Sequence, residues 1–316
     1  MNRKGARMSL LKRLCTVVFF CSASMLAADI TITLKDSFIE KFKNRALIED
    51  SCQIVKAHKK PNPVGTGSKD GDLHIASLCK VSQLQTVAEI MNAKKMQAAV
   101  DLVHAKEGTS ESIPITGVWR LWCEHGGSGV VHTQGGTLEK ITDTNPDHVF
   151  EIHPITSIGG TDVIESLGII DGFTEKDAQQ AFMTYERTRC HISHKGTTTT
   201  IRTTMAGFNY VKFRINLNEP PQVIDDGLHF FAQVLEVGDD NEDGEILVRN
   251  RRMVVPKGSK AADALKGGKK GDSFVVLGLP RINLSLVQFR AKNLKSRPEL
   301  ADWDLPYEMV ILGVFP

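Results

Sequence analysis

Three short stretches of this chain set carboxylates and imidazoles where strand alternation would gather them: Asp72 with His74, Glu151 with His153, and Glu89 between Val87 and Met91. In an extended strand, residues two apart share a face. Asp72 and His74 then stand opposite Leu73 and Ile75, and Glu151 and His153 stand opposite Phe150 and Ile152. The segment ahead of Glu151 adds Glu124, His125, Asn145, Asp147 and His148. Imidazole with carboxylate suits zinc or manganese, and such a metal could activate water for hydrolysis. The same groups could capture a ligand by hydrogen bonds, or could simply bond one another as buried polar groups must. The candidate ligand-binding set is Asp72, His74, Glu89, His125, Glu151 and His153. The metal alternative places a divalent ion on His74, His153 and Glu151. No catalytic residue is assigned.

The elements that would position these residues follow from periodicity. Residues 51–58, 73–78, 86–91, 113–123 and 149–158 alternate as strands. Between the third and fourth, Met96, Ala99, Val100 and Val103 fall three and four apart, an amphipathic helix over 92–106. Strand, strand, strand, helix, strand, strand is the succession of an OB-fold, a five-stranded Greek-key barrel. On that fold the second and third strands and the loop after the fourth bind ligands, and the polar residues fall there.

Ser37 with Glu40 reads as a capping box for a short helix ending near Leu47, and Thr174 with Asp177 as a second. The remainder is mostly strands: 198–204, 210–217, 228–237, 245–255, 273–289 and 307–315, with a short helix over 259–265. The expected fold is mainly β with a few helices (α+β), tandem OB-like β-barrels after a cleaved signal peptide. The expected division is 1–28 for the signal, 29–165 for the first barrel and 174–316 for a second β-rich domain that could be OB-like.

Other motifs carry less. Asp239-x-Asn241-x-Asp243-Gly244 imitates the start of a calcium loop, but Asn250 stands where the closing Glu belongs, so it reads as an acidic hairpin turn. Trp119 and Trp122 could stack on a sugar or base, though on opposite faces of one strand at least one belongs to the core. The chain shows no Ser-His-Asp motif, P-loop or dinucleotide fingerprint.

The combination Asp70-Gly71-Asp72-Leu73-His74, Val87-Ala88-Glu89-Ile90, Glu124-His125-Gly126-Gly127 and Glu151-Ile152-His153-Pro154 resembles a set of uncharacterised exported bacterial proteins. That set shares a D-G-D-x-H strand, an acidic third strand and a closing E-[IL]-H-P. The resemblance covers residues 50–160 and implies a common small β domain, with no activity attached. Asp70-Gly71-Asp72 is also similar to the Asp-Gly-Asp of staphylococcal-nuclease-type enzymes, whose arginines and glutamate do not follow here in order.

The first fourteen residues carry Arg3, Lys4, Arg7, Lys12 and Arg13 and no acid, and an apolar run from Cys15 to Ala27 follows. That is the plan of a secretory signal peptide, and its apolar run is short of the ~18 residues a spanning helix needs. The expectation is export to the periplasm or medium, cleavage after Ala27 or Ala28, and no integral membrane segment in the mature chain. The whole-chain net charge is +2, much of it in the signal, which argues against a basic surface for bulk nucleic-acid binding. Cys52, Cys79, Cys123 and Cys190 remain, and an oxidising compartment favours one or two disulfides, with Cys52 paired to Cys79 or Cys123 if strands bring them together. The leading functional expectation is an exported, soluble, non-catalytic binding protein for an oligosaccharide, a nucleic-acid fragment or a small anion. The alternatives are a metal-dependent hydrolase, such as a phosphodiesterase, and a structural envelope protein.

Overall fold

The computed structural model describes residues 29–238 and 243–316. The signal segment and most of the acidic Asp239-to-Asp243 turn lie outside the described residues. The chain enters through β1 (Ile30–Lys35), which runs straight into α1 (Asp36–Phe42). The capping box expected at Ser37 does not form: the helix starts two residues earlier, and its N-cap, Lys35, has no side-chain cap bond. Asp36 instead accepts from the Thr199 hydroxyl, at 2.8 Å.

The first barrel uses β2 (Leu47–Ala57), β3 (Leu73–Cys79), β4 (Gln85–Ile90), β5 (Ser112–Leu121) and β7 (Phe150–Ile158), with α2 (Gln97–Lys106) between β4 and β5. The strands close in the order β2-β3-β4-β7-β5, and β4 pairs with β7 in parallel. That ring, with its helix between the third and fourth strands, is the OB topology. Each strand forms because its alternate residues are apolar: Leu73 and Ile75, Ala88 and Ile90, Ile152 and Ile158 are fully buried. Cys52 lies directly opposite Cys79 across β2 and β3, and the two form a disulfide. Cys123 and Cys190 are buried free thiols.

After the short β8 (Thr161–Asp162) and a linking segment comes α3 (Ala178–Arg187). Its cap is Asp177, whose Oδ1 accepts from the Gln180 amide at 2.7 Å, rather than Thr174 as the spacing suggested. A hairpin, β9 (Arg189–Lys195) and β10 (Thr198–Thr203), leads to the second barrel. This barrel is built from β11 (Val211–Leu217), β13 (Gly227–Val237), β14 (Asp243–Pro256), β15 (Ser273–Ile282) and β17 (Tyr307–Val314). The small strand β12 (Gln222–Ile224) flanks β13, and α4 (Lys260–Leu265) lies between β14 and β15. The closed order β11-β13-β14-β17-β15, with β14 parallel to β17, repeats the first barrel strand for strand.

Residues 273–289 are not one strand. β15 ends at Ile282, and Asn283 accepts from the Leu286 amide at 3.1 Å to cap α5 (Leu284–Asn293). A third sheet, which the sequence did not announce, runs β16-β9-β10-β1-β6, with β6 (Val131–Thr133) from the loop between β5 and β7 and β16 (Asp302–Asp304) from the loop between β15 and β17. It joins the two barrels through loops that occupy the same place in each.

Register makes the barrels comparable residue by residue. His74 pairs with Glu89 and Arg120 with Glu151 in the first; His229 pairs with Val254 and Arg281 with Glu308 in the second. Thus His74 corresponds to His229, Glu89 to Val254, Arg120 to Arg281, Glu151 to Glu308 and, one step on, His153 to Val310. Asp72 corresponds to Gly227. Gly117 and Gly278 also correspond: a Cβ on Gly117 would lie 2.6 Å from the Pro154 carbonyl, and one on Gly278 would lie 2.9 Å from the Val310 carbonyl. Each glycine lets strand four of its barrel pass close over strand five.

Candidate ligand site on the first barrel

β3 turns Leu73 and Ile75 into the barrel and His74 outward, with Asp72 just ahead of the strand. β4 presents Glu89 outward between two core residues, and β7 does the same with Glu151 and His153. Since β4 lies between β3 and β7, one outer face carries Asp72, His74, Glu89, Glu151 and His153 together. The Asp70-Gly71-Asp72 turn needs its glycine, which has φ of +77° and whose Cβ would meet Val64 at 2.8 Å. Asn62 then donates to Asp72 Oδ1 at 2.7 Å and holds the carboxylate in place.

This face is covered. The segment after the first barrel ties down through the Thr174 amide on the Gly65 carbonyl and the Lys176 amide on the Tyr210 carbonyl. Phe173 packs edge-on against Tyr210. Under this cover lies a cavity of about 520 Å³, bordered by His58, Asp70, Asp72, His74, Glu89 and His125, with Asn145 and Tyr210 further round.

Two linked groups lie at the floor and behind it. His74 Nε2 lies 2.8 Å from Asp72 Oδ2 and 3.6 Å from Glu89 Oε1. His153 Nδ1 lies 3.1 Å from both Glu89 Oε2 and Glu151 Oε2, and its Nε2 lies 2.6 Å from the Tyr210 hydroxyl. This network assigns the Nδ1 proton to the carboxylates and makes Nε2 the acceptor of the Tyr210 hydroxyl. Glu151 is also held by Arg120, at 2.6 Å, and by His148, at 3.2 Å. Arg120 reaches Glu124 as well, at 3.1 Å.

Burial and charge pull the groups apart. Burial, then the neighbouring Asp72 charge, pushes Asp70 up to about 7. Burial and the charges of Asp72 and Glu151 hold Glu89 well above the carboxylate range. Asp72 goes the other way: burial opposes its charge, but the His74 hydrogen bond and charge bring it down to about 2. Burial likewise opposes ionisation of Glu151, but the Arg120 charge and the hydrogen bonds to His148 and His153 together hold it well below the carboxylate range. Burial opposes the His74 charge, but the bond to Asp72 and the charges of Asp72, Asp70 and Glu151 together raise it, whereas burial lowers His58, which stacks on it at 4.6 Å. The floor thus sets a lowered Asp72 beside a raised His74 and a raised Glu89.

Of the residues singled out by sequence, Asp72, His74 and Glu89 line this floor, and Glu151 and His153 lie buried behind Glu89. His125 stands at the cavity edge, stacked on His148 at 5.2 Å. Those ligating atoms of His74, His153 and Glu151 do not make one set. They divide into two groups, Asp72 with His74 and Glu89, and Glu89 with Glu151 and His153, each within 4.8 Å and sharing Glu89. Trp119 and Trp122 are both fully buried, so neither offers a face to a ligand; Trp119 donates to the Arg45 carbonyl at 2.8 Å. Sequence reasoning missed His58, Arg120 and Tyr210 as members of the site. Tyr210 arrives from beyond the first barrel, where no local pattern points to it. The chain matches no known protein-family model and no curated protein sequence.

Proposed function

We propose that this chain is an exported, non-catalytic binding protein that holds a small polar ligand in the cavity on the outer face of its first barrel. The observation that carries the reading is the difference between the barrels. The second barrel closes with Val254, Val310 and Gly227 where the first has Glu89, His153 and Asp72. Polar groups at these positions are therefore not required to close such a barrel, and a buried acid is costly to keep without a use. The Arg–Glu pair, by contrast, recurs in both barrels, which marks Arg120 and Glu151 as architecture that steadies the floor.

Among an oligosaccharide, a nucleic-acid fragment and a small anion, the carboxylates favour the first. They accept hydroxyl hydrogens and repel phosphate, and the flat faces of His58 and His125 suit a sugar ring. The basic, apolar start of the chain supports export, where such ligands are met.

The test is a Glu89→Val/His153→Val variant, which gives the first barrel the residues of the second. The expected result is a folded protein, with its melting temperature within a few degrees of the parent, that no longer shows the parent's binding to an oligosaccharide panel. A variant that unfolds would return these residues to a structural role. A folded variant that binds as the parent does would move the site elsewhere.

A further inference from the structure

Resting on the reading of this cavity as a binding site, we propose that its floor takes one divalent cation of the zinc or manganese type, held by Asp72, His74 and Glu89. Two overlapping groups could compete for the ion, and their neighbours decide between them. In the group with Glu151 and His153, the Arg120 guanidinium already sits 2.6 Å from Glu151, so a cation there would face a fixed positive charge. His153 Nδ1 is also engaged, 3.1 Å from both acids. Asp72, His74 and Glu89 have no arginine or lysine among their ion-pair partners among the described residues.

The spacing suits the ion. Donors arranged tetrahedrally at about 2.1 Å from a metal stand about 3.4 Å apart. His74 Nε2 lies 2.8 Å from Asp72 Oδ2 and 3.6 Å from Glu89 Oε1, so small rotations would open the group around a metal. Charge balances as well. With His74 neutral, two ionised carboxylates and one divalent ion sum to zero, which a buried floor favours.

Independent of the acids, the buried His74 ring lacks a partner at Nδ1, and Asp70 Oδ1, on the same cavity, is buried without one too. A native interior seldom leaves such atoms unmatched. A hydrated ion on the floor would bring water into the cavity that Asp70 lines, while Nδ1, on the far side of the His74 ring from the ion, would keep the ring proton. His153 would then act outside the coordination sphere, fixing Glu89 as a carboxylate partner fixes a metal ligand. The cavity side of the ion is left for water or for a ligand oxygen.

The full chain, purified without chelator, then stripped and retitrated with zinc or manganese alone, provides the test. One ion per chain is expected, with binding weakened at least tenfold in Asp72→Asn and in His74→Ala and unchanged in His229→Ala, the matching position of the second barrel. Melting curves of each variant separate lost ligation from lost folding. Failure to bind either ion at millimolar concentration, or equal affinity in a folded Asp72→Asn variant, would overturn the proposal. Oligosaccharide binding by a protein that takes up neither ion would overturn the cation and leave the binding site standing. Absence of both would remove the two together.

Discussion

Arg120 and Arg281 reach across the contact between the barrels in opposite directions. Arg120 Nε donates to the Pro280 carbonyl at 3.0 Å, and Arg281 donates to the Trp119 carbonyl at 3.1 Å. Each lies on the fourth strand of its barrel, each is fully buried, and each faces a glutamate on the fifth strand. Arg281 also lies 3.6 Å over the Trp119 ring and donates to the carbonyls of Ala46 and Arg45. The two barrels thus exchange equivalent side chains across their contact.

Removing one partner should therefore cost more than removing both. In Arg281→Met, Glu308 keeps only Arg252, at 3.3 Å, and remains fully buried. Breaking a buried pair this way typically costs about 3–5 kcal/mol, whereas apolar replacement of the whole pair is close to neutral. Urea unfolding of Arg281→Met and of Arg281→Met/Glu308→Leu should show the double variant recovering a large part of the loss. A double variant less stable than the single one would refute the pairing argument.

The two crossing glycines give a matched pair of backbone tests. Gly117→Ala sets its new carbon against the Pro154 carbonyl at 2.6 Å, and also against Ile152, so β7 must move. Overpacking of this kind costs about 1–3 kcal/mol. Because Ile152 and Pro154 flank His153, Gly117→Ala should also weaken ligand binding. Gly278→Ala should lower stability in thermal melts and leave binding untouched. Equal loss of binding in both would show that stability alone is being read.

His132 provides a pH test away from the cavity. Burial lowers this imidazole below its ordinary value of 6.5, while its Nε2 bonds the Gly126 carbonyl at 2.7 Å. The folded state binds the proton less readily than the unfolded chain, so this contribution is complete above pH 6.5 and is lost as pH falls toward the folded value. The difference in urea midpoint between the parent and His132→Gln should hold steady near about pH 8 and shift against the parent toward about pH 5. A difference that does not change with pH would count against burial of the neutral form.

Much of the first barrel was open to reading because its strands alternate cleanly and its helix changes the period to three and four. The same alternation paired Asp72 with His74 and Glu151 with His153, since a period of two needs no tertiary information, while the strand order brought these and Glu89 to one face. The third sheet was not legible: β6 and β16 have three residues each, too few for a period to show. α5 was hidden because Leu284, Leu286, Val287 and Phe289 prolong the apolar run of β15, and only Asn283 marks the break. The kinship of the barrels was hidden as well. It survives in sequence mainly as Gly117-x-x-Arg120 beside Gly278-x-x-Arg281, and paired register was needed to align the rest.

The third sheet also governs the order in which this chain can mature. β1 is synthesised first, yet its neighbours, β6 and β10, come from the far end of the first barrel and beyond it. β9 in turn takes β16 as its outer neighbour, a strand that precedes only the last strand of the second barrel. A chain emerging from its N-terminus therefore leaves β1 without its first neighbour until β6 at residue 131 and without its second until β10 at residue 198. Only the far edge of that sheet, β16, must wait until most of the second barrel has been made.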